Sequence, residues 1–238
     1  MKLFKIIIYI LKEKIIHFGE IYRLISFHYF INKTLLDNNK INVLDVGFNK
    51  GVYRKYFRDL DGCYKYSGVE IDKKYLNKYS NTFFHNFENE KLDKKFDIVF
   101  CSHVLEHVKN DYNFLLNMTN SIEEGGTVII RVPKPTKKRI YFRTFNKNSG
   151  IHDEHFRDGY TLKDLKLLFS KVGIKIDAYY YSLGGLGLFV HTIFEILRDK
   201  QIRFQRILQL PYIIISLVDI YLIKSNKTSD LLVFASKI

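Results

Sequence analysis

The stretch "INVLDVGFNKGVYRKYF", residues 41–57, decides how the chain folds. Its apolar run contains one carboxylate, Asp45, and the chain then passes through Gly47 and Gly51 into a segment with the apolar spacing of a helix. A buried Asp needs a partner, and glycines just after a strand allow a sharp turn or a close approach of the backbone to a ligand. The stretch therefore predicts a strand, a turn and a helix start, with either a ligand site or a plain connection at the turn.

The bulk composition bounds the class of protein. A chain of 238 residues fits one domain with additions and is long enough to bury a substantial core. The net charge of +13 suits nucleic acid, an anionic membrane surface or an anionic substrate, and it also suits a merely Lys-rich chain. Cys63 and Cys101 lie far apart, without disulfide or metal-ligand spacing, as is typical of a reducing cytoplasm. We therefore expect a cytoplasmic location.

The N-terminus, "MKLFKIIIYILKEKIIHF", begins like a signal peptide, but its apolar run at 6–11 is too short and a Lys-Glu-Lys run follows it. Residues 1–37 are rich in Ile, Phe and Tyr and carry Lys and Arg at their edges. We predict that they form an N-terminal helical lid, and that residues 38–238 form the main domain.

The rest of the chain alternates short apolar runs with amphipathic segments, which predicts a parallel, doubly wound α/β sheet. Strands are predicted at 42–46, 64–71, 81–85, 96–101, 127–132, 174–181 and 231–237. Helices are predicted at 51–59, 73–79, 111–122 and 162–172. Two regions break the alternation, a basic loop at 134–150 and a helical insertion at 185–223.

In doubly wound sheets, ligands bind beyond the carboxyl ends of the strands, so the strand ends form one set. The segments are "VLDVGFNKG", "GVEID", "FFHNFEN", "FDIVFCSHVLEHV" and "GGTVIIRVP", the last entered through a tight turn at Gly125 and Gly126. With "HDEHFRDGYTLKDLKLLFSKVGIKI" and "LLVFASKI", this set resembles the class I S-adenosylmethionine-dependent methyltransferases, in particular the quinone-biosynthesis and small-molecule group. The resemblance implies a Rossmann-like sheet with an antiparallel last strand, S-adenosylmethionine as the cofactor, and methyl transfer as the activity of residues 38–238.

The resemblance also implies how the cofactor is bound. Gly47 and Gly51 would admit its methionine part close to the backbone, and Asp45 would orient that loop and the cofactor's ammonium. Glu70 would accept hydrogen bonds from both ribose hydroxyls, and Asn86 would meet the adenine amino group. Ring contacts would come from Ile71 and Phe87, and the start of the segment after strand four would lie near the transferred methyl. The implied cofactor set is Asp45, Gly47, Phe48, Asn49, Gly51, Glu70, Ile71, Asn86, Phe87, Ser102 and His103.

Two positions depart from the family's pattern. Asn49 replaces a third glycine, but Asn tolerates left-handed backbone better than most residues. Asn86 replaces a common Asp and still offers a carbonyl to the adenine amine. A dinucleotide site is the competing role for Glu70, but the loop lacks the G-x-G-x-x-G pattern that such a site needs.

Methyl transfer to a hydroxyl needs a base to remove the proton, and histidine is the side chain best matched to that task at neutral pH. We predict His103, His155 and His152 as the catalytic candidates because they border the expected cleft. For His107, which follows Glu106, a role in fixing a loop is favoured over a role in the chemistry. The "HDEH" run is a weak metal pattern without further ligands, so no metal ligands are predicted. A metal-supported acceptor site stays open as the less favoured alternative.

The loop "KPTKKRIYFRTFNKNSG" carries six basic side chains and no acidic one. Its place after strand five favours an anionic acceptor. We therefore predict O-methylation of a small anionic acceptor, such as a glycan or its nucleotide- or lipid-linked precursor, as in bacterial polysaccharide synthesis. The predicted substrate-binding residues are Lys137, Lys138, Arg139, Arg143 and Arg157.

Two other functions stay open. A nucleic-acid methyltransferase of this superfamily would carry an Asn/Asp-Pro-Pro-aromatic motif after strand four, where this chain has Cys-Ser-His-Val. No recognition domain is visible either, so the motifs argue against a nucleic-acid partner. A non-catalytic, cofactor-binding subunit is compatible with the same motifs.

The run "RILQLPYIIISLVDIYLIK" is long and apolar, but Pro211 and Asp219 argue against a membrane span. It predicts a helix packed on the domain or in a dimer, or one lying on a membrane surface. The second option would add a reversible, peripheral contact at the inner membrane face. The sequence leaves the oligomeric state open.

Overall fold

The computed structural model describes residues 2–34, 41–59, 64–135, 156–197, 207–223 and 228–238. The chain divides into two compact units. One is helical and comprises residues 1–36, 136–150 and 181–230; the other holds the sheet and comprises residues 37–135, 151–180 and 231–238. The N-terminal helices therefore share a unit with the insertion that precedes the last strand. Their action as a lid stays a prediction.

The described strands form one sheet in the order β3-β2-β1-β4-β5-β7-β6. Strands β1 to β5 pair in parallel, and β7 runs antiparallel between β5 and β6. This order confirms the predicted doubly wound, Rossmann-like sheet with an antiparallel last strand. The strands are β1 (Ile41–Val46), β2 (Tyr64–Glu70), β3 (Thr82–Phe84), β4 (Phe96–Ser102), β5 (Ile122–Pro133), β6 (Ile174–Ser182) and β7 (Asp230–Lys237).

Strand β1 lies where the strand order reverses, with β2 on one side and β4 on the other. Its residues Val43, Leu44 and Val46 are buried because a parallel sheet is covered on both faces. The carboxyl ends of β1, β2 and β4 therefore open at one edge, at the switch point where doubly wound sheets bind ligands.

Short helices connect these strands. They are α3 (Val52–Asp59), α4 (Asp111–Thr119) and α5 (Leu162–Lys171), with 3₁₀ turns at Lys73–Lys78 and Leu105–His107. The N-terminus of α5 is a capping box, in which Thr161 and Asp164 exchange side-chain and backbone hydrogen bonds. The amphipathic segments predicted at 51–59 and 162–172 are therefore helices as expected, whereas 73–79 is a tighter 3₁₀ turn.

The prediction around strand five was wrong in two respects. The helix predicted at 111–122 ends at Thr119, and β5 begins at Ile122 rather than at 127. Gly125 and Gly126, predicted as a tight turn before the strand, lie within it. Gly125 has φ +77°, and the pairing with β4 shifts register between Phe96 and Ile98, so the glycines accommodate an irregularity inside a longer strand.

The helical unit is built around α2 (Phe18–Thr34), which packs against α1 (Lys2–Lys12), α6 (Gly185–Leu197) and α7 (Gln209–Leu222). Buried polar side chains fasten these helices. Asp219 accepts hydrogen bonds from the Tyr22 hydroxyl (2.8 Å) and from the backbone N–H groups of Gly184 (2.8 Å) and Gly187 (3.0 Å). The carboxylate that argued against a membrane span is thus a satisfied core residue.

None of the helices in the described ranges is both long and apolar enough to cross a bilayer.

Candidate active site

An open cleft of about 470 Å³ lies at the carboxyl ends of β1, β2 and β4, and its size suits a small ligand. The structure brings together there many of the residues expected to bind the cofactor. Those lining the cleft are Gly47, Asn49, Glu70, Ile71, Asn86, Phe87 and His103.

The glycine loop after β1 turns through three left-handed residues, Gly47 (φ +74°), Asn49 (φ +46°) and Gly51 (φ +71°). Asn49 thus adopts the backbone conformation that was expected of it in place of a third glycine. At Gly47 a side chain is also sterically forbidden, because a Cβ atom would lie 2.3 Å from Cγ2 of Val104. The loop therefore brings the end of β1 close to the segment that follows β4.

Glu70 ties the tip of β2 to this loop. Its Oε2 accepts a hydrogen bond from the backbone N–H of Asn49 (3.0 Å), and its Oε1 accepts one from the N–H of Ile71 (2.9 Å). Oε1 also accepts a longer hydrogen bond from the N–H of Asp72 (3.4 Å). Because a carboxylate has about four acceptor positions, the remaining capacity for a ribose hydroxyl lies on Oε2. The placement fits the predicted role.

Asp45 does not line the cleft; it is 2% exposed and accepts a hydrogen bond from the Tyr66 hydroxyl (3.0 Å). Burial raises the pKa of Asp45 to about 7, with the hydrogen bond from Tyr66 opposing the rise and the charge of Glu70 adding to it. Tyr66 is thus the partner that a buried Asp needs, a residue that sequence reasoning did not single out. A direct part for Asp45 in holding the cofactor's ammonium stays a prediction.

Phe48 and Gly51 support the loop from behind instead of lining the cleft. The Phe48 ring fills the space above Gly68, where a Cβ atom would lie 2.8 Å from it, and meets the ring of Tyr79 edge-on at 6.0 Å. The Tyr79 hydroxyl donates to the carbonyl of Lys50 (2.7 Å), and the same ring covers Gly51. Ser102, at the end of β4, also lies outside the lining.

Of the three residues predicted to contact the adenine, Asn86, Phe87 and Ile71, all line the cleft, but they differ in how available their side chains are. Oδ1 of Asn86 already accepts a hydrogen bond from the backbone N–H of Glu88 (2.9 Å). Phe87 is 1% exposed and is held edge-on by the rings of His85 (4.5 Å) and Phe114 (6.0 Å). Ile71, by contrast, is 62% exposed and available to cover a ring. His85, Glu88 and Phe114 are lining residues that the sequence motifs did not indicate.

The segment after β4 carries two titratable side chains in contact, His103 and Glu106. His103 has a left-handed backbone (φ +55°), and its N–H donates to the carbonyl of Arg131 (2.8 Å). Its Nδ1 lies 3.3 Å from Oε1 of Glu106, which is 1% exposed. Burial raises the pKa of Glu106. The hydrogen bond and the charge of His103, together with a backbone hydrogen bond and the charge of His107, oppose burial and hold that pKa below its ordinary value.

The remaining predicted residues fall in two groups. His152, His155, Lys137, Lys138, Arg139 and Arg143 lie outside the described residues. Arg157 is described, but its guanidinium donates to the carbonyls of Val108 and Lys109 and pairs with Asp111 (3.5 Å), and it does not line the cleft. Its role in binding an acceptor stays a prediction that this geometry does not favour. Within the described ranges, no three metal-ligating side chains lie close enough to hold an ion.

The fold and the cleft define a doubly wound α/β protein with a ligand cleft at the switch point of its sheet. A methyltransferase-domain family model matches residues 20–179, and the chain belongs to that family. This membership confirms the resemblance to class I methyltransferases, and with it S-adenosylmethionine as the cofactor.

Two curated O-methyltransferases are similar in sequence to this chain over about half of their length. The ubiquinone biosynthesis O-methyltransferase of Rickettsia typhi is 32% identical over 143 residues, which are 52% of this chain and 56% of that protein. The enzyme of the same name from Rickettsia prowazekii is 31% identical over 141 residues, 52% and 55% of the two chains. The chain thus spans about half the length of the curated relatives it matches.

Solved structures share the fold. The [4+2]-cyclase SpnF matches with a TM-score of 0.59 at 12% identity, over 90% of this chain and 82% of that one. Coclaurine N-methyltransferase, bound to N-methylheliamine and S-adenosylhomocysteine, gives 0.54 at 11% identity over 88% and 69%. The O-methyltransferase of a Brevibacillus brevis polyketide synthase gives 0.51 at 16% over 83% and 67%. At such low sequence identities, these structural matches show a shared fold and do not show a shared reaction.

The structure predicts that Glu70→Ala weakens S-adenosylmethionine binding by about 2 kcal/mol, about thirty-fold in Kd, because a charged acceptor of two hydrogen bonds is lost. Isothermal calorimetry measures this directly. Glu123→Ala, at an exposed position of β5, is the control and should bind as the wild type does. Equal affinities for all three proteins, or tighter binding of NAD, would contradict the assignment.

A second prediction concerns Asp45 and pH. Because folded Asp45 keeps its proton to a higher pH than the unfolded residue, its contribution to the free energy of unfolding falls as pH rises between about 4 and about 7. Asp45→Asn removes that fall, so the stability of the wild type relative to the variant should decline across this window by up to about 4 kcal/mol.

Urea unfolding at a series of pH values tests this expectation. Asp93→Asn, where the carboxylate is 90% exposed, should follow the wild-type pH dependence. A constant difference between wild type and Asp45→Asn at all pH values would show that Asp45 is not held protonated.

Proposed function

We propose that the chain transfers the methyl group of S-adenosylmethionine to a hydroxyl of a small acceptor. The observation that carries this is a histidine on the cleft wall, His103, with an ionised carboxylate, Glu106, buried behind it. His103 precedes Val104, the residue that contacts Gly47 of the cofactor loop, which supports a place for the imidazole near the methionine end.

The chemistry explains why such a base favours a hydroxyl. The acceptor oxygen attacks the methyl carbon while the carbon–sulfur bond breaks and its electron pair stays on sulfur, which gives S-adenosylhomocysteine. The hydroxyl proton must then leave, and an imidazole within reach accepts it. A neutral amine attacks through its free lone pair and has less need of a base. The O-methyltransferase names of the relatives support the same choice of acceptor atom.

The identity of the acceptor divides into two candidates. The anionic glycan precursor rests on the basic loop, whose residues 136–150 lie outside the described part; Lys134, at its start, is only 6% exposed. A second candidate is an acceptor of ubiquinone biosynthesis, which the names of the relatives favour. Labelled S-adenosylmethionine offered with catechol, a nucleotide sugar and fractionated cell extract distinguishes the two. Methylated nucleic acid, or no methylated product, would instead favour the alternatives left open by the sequence.

The proposal predicts that His103→Ala lowers kcat by about two to four orders of magnitude, because the proton loses its acceptor. The Kd of S-adenosylmethionine should stay within about two-fold of the wild type. His107→Ala is the comparator, since His107 lines the same cleft and should matter less. Steady-state kinetics and calorimetry provide both quantities, and unchanged turnover of His103→Ala would remove the assigned base.

We further propose a cytoplasmic protein that touches anionic membrane reversibly through its helical unit. Exposed apolar side chains concentrate there, and Lys12 and Lys14 at the end of α1 add positive charge beside them. Such a combination suits an interfacial contact. The exposed apolar residues of α1 are Phe4, Ile8 and Leu11, and those at or near α7 are Ile207, Leu210, Ile214, Val218, Tyr221 and Leu222.

Two equally exposed positions make a matched test of this contact. Ile214 on α7 and Leu167 on α5 are each 59% exposed. Ile214→Glu should weaken co-sedimentation with phosphatidylglycerol-containing vesicles several-fold, because it places a negative charge among the exposed apolar residues of α7. Leu167→Glu, the control, should leave co-sedimentation unchanged. Equal losses in both variants, or no binding by the wild type, would contradict the membrane contact.

A further inference from the structure

Glu106 has an environment that packing alone does not account for. Its side chain is buried, and its Oε2 has no hydrogen-bond partner among the described residues. Buried polar atoms are nearly always hydrogen-bonded, so one without a partner needs an explanation, such as a role in a reaction. The position therefore calls for a reason that lies in the site.

The neighbour of Glu106 is equally unusual. His103 takes a left-handed backbone (φ +55°), which is costly for a residue with a side chain and persists only where the surroundings impose it. The hydrogen bond from its N–H to the carbonyl of Arg131 helps to impose it. The outcome is a histidine that lines the cleft with its Nδ1 3.3 Å from Oε1 of Glu106.

We propose that Glu106 is the positioning residue for His103: it accepts the Nδ1–H, fixes the tautomer whose Nε2 lone pair serves the cleft, and stabilises the imidazolium formed on proton transfer. This inference rests on the proposed hydroxyl methylation, because methyl transfer to a hydroxyl needs a base.

The other titratable groups at this strand end do not compete for the role. Burial raises the pKa of the Cys101 thiol well above its ordinary value, and the charges of Glu106 and Asp45 add to the rise, so the thiol stays protonated. Asp45 itself has its pKa raised to about 7 and bonds to Tyr66. Glu106, whose pKa is lowered, is the member of this group that carries a full charge beside His103.

The chain supplies a matched pair for comparison. His85 also faces a carboxylate, with Nδ1 3.6 Å from Oε1 of Glu90, but the Glu90 side chain is 67% exposed. Solvent competes for an exposed carboxylate, so that pair holds its histidine less firmly. Glu90→Gln is therefore the control for any general effect of removing a histidine-linked carboxylate.

The direct test is ¹⁵N NMR of histidine-labelled protein bound to S-adenosylhomocysteine, which reports the tautomer of His103 without any methyl acceptor. The wild type should hold the Nδ1–H form; Glu106→Leu should lose that preference, and Glu90→Gln should keep it. Thermal unfolding checks that Glu106→Leu is folded under the conditions of the NMR experiment. In the folded variant, an unchanged tautomer would overturn the positioning role and leave a structural one.

Kinetics with catechol as the acceptor give the second arm. Glu106→Leu should lower kcat by about ten- to a hundred-fold with little change in KM, and Glu106→Gln, which keeps a hydrogen-bond acceptor without the charge, should fall between. In a His103→Ala background, either change should have no further effect, since Glu106 acts through His103. Additive losses would overturn the proposal. If catechol is not methylated, the hydroxyl-acceptor function is in question, and the NMR arm still decides the role of Glu106.

Discussion

The contact between Gly47 and Val104 is the constraint on which the site depends. The loop can approach the segment after β4 only because residue 47 lacks a Cβ atom, which would lie 2.3 Å from Cγ2 of Val104. That approach joins two halves of one cleft. On one side, Glu70 at the tip of β2 accepts a hydrogen bond from the backbone N–H of Asn49 in the loop. On the other side, His103 precedes the turn that contains Glu106 and contacts its carboxylate. The cofactor half and the proposed catalytic half thus meet at a single glycine.

Two buried carboxylates near this contact receive opposite charge states from their surroundings. Asp45 is 2% exposed and has only a neutral hydroxyl as its described partner, so burial dominates and its pKa rises to about 7. Glu106 is as deeply buried, but His103 lies beside it and its pKa is lowered. One environment makes a group that can stay neutral and brace a loop, and the other makes an anion that can order a base.

The sequence predicted those parts of the fold and of the cleft that depend on residues close together in the chain. Residue types a few positions apart are enough to predict three features: the strand that ends at Val46, the left-handed turn that contains Asn49, and Glu70 at the tip of the next strand. The role of Gly125 depends on the register of β5 against β4, and the burial of Glu106 depends on how the turn after β4 packs, so neither could be read from spacing. The sequence could not identify Tyr66 as the partner of Asp45 for the same reason, because its hydroxyl donates to Asp45 from the neighbouring strand.

In the proposed reaction a hydroxyl oxygen receives the methyl group, and His103 accepts the hydroxyl proton. The most direct measurement is ¹³C NMR of the product formed from S-adenosylmethionine labelled at the methyl carbon, with fractionated cell extract as the acceptor source. An O-methyl resonance that appears with the wild type and disappears with His103→Ala is the predicted result. An N-methyl or S-methyl resonance, or an O-methyl resonance of equal strength from both proteins, would contradict the claim.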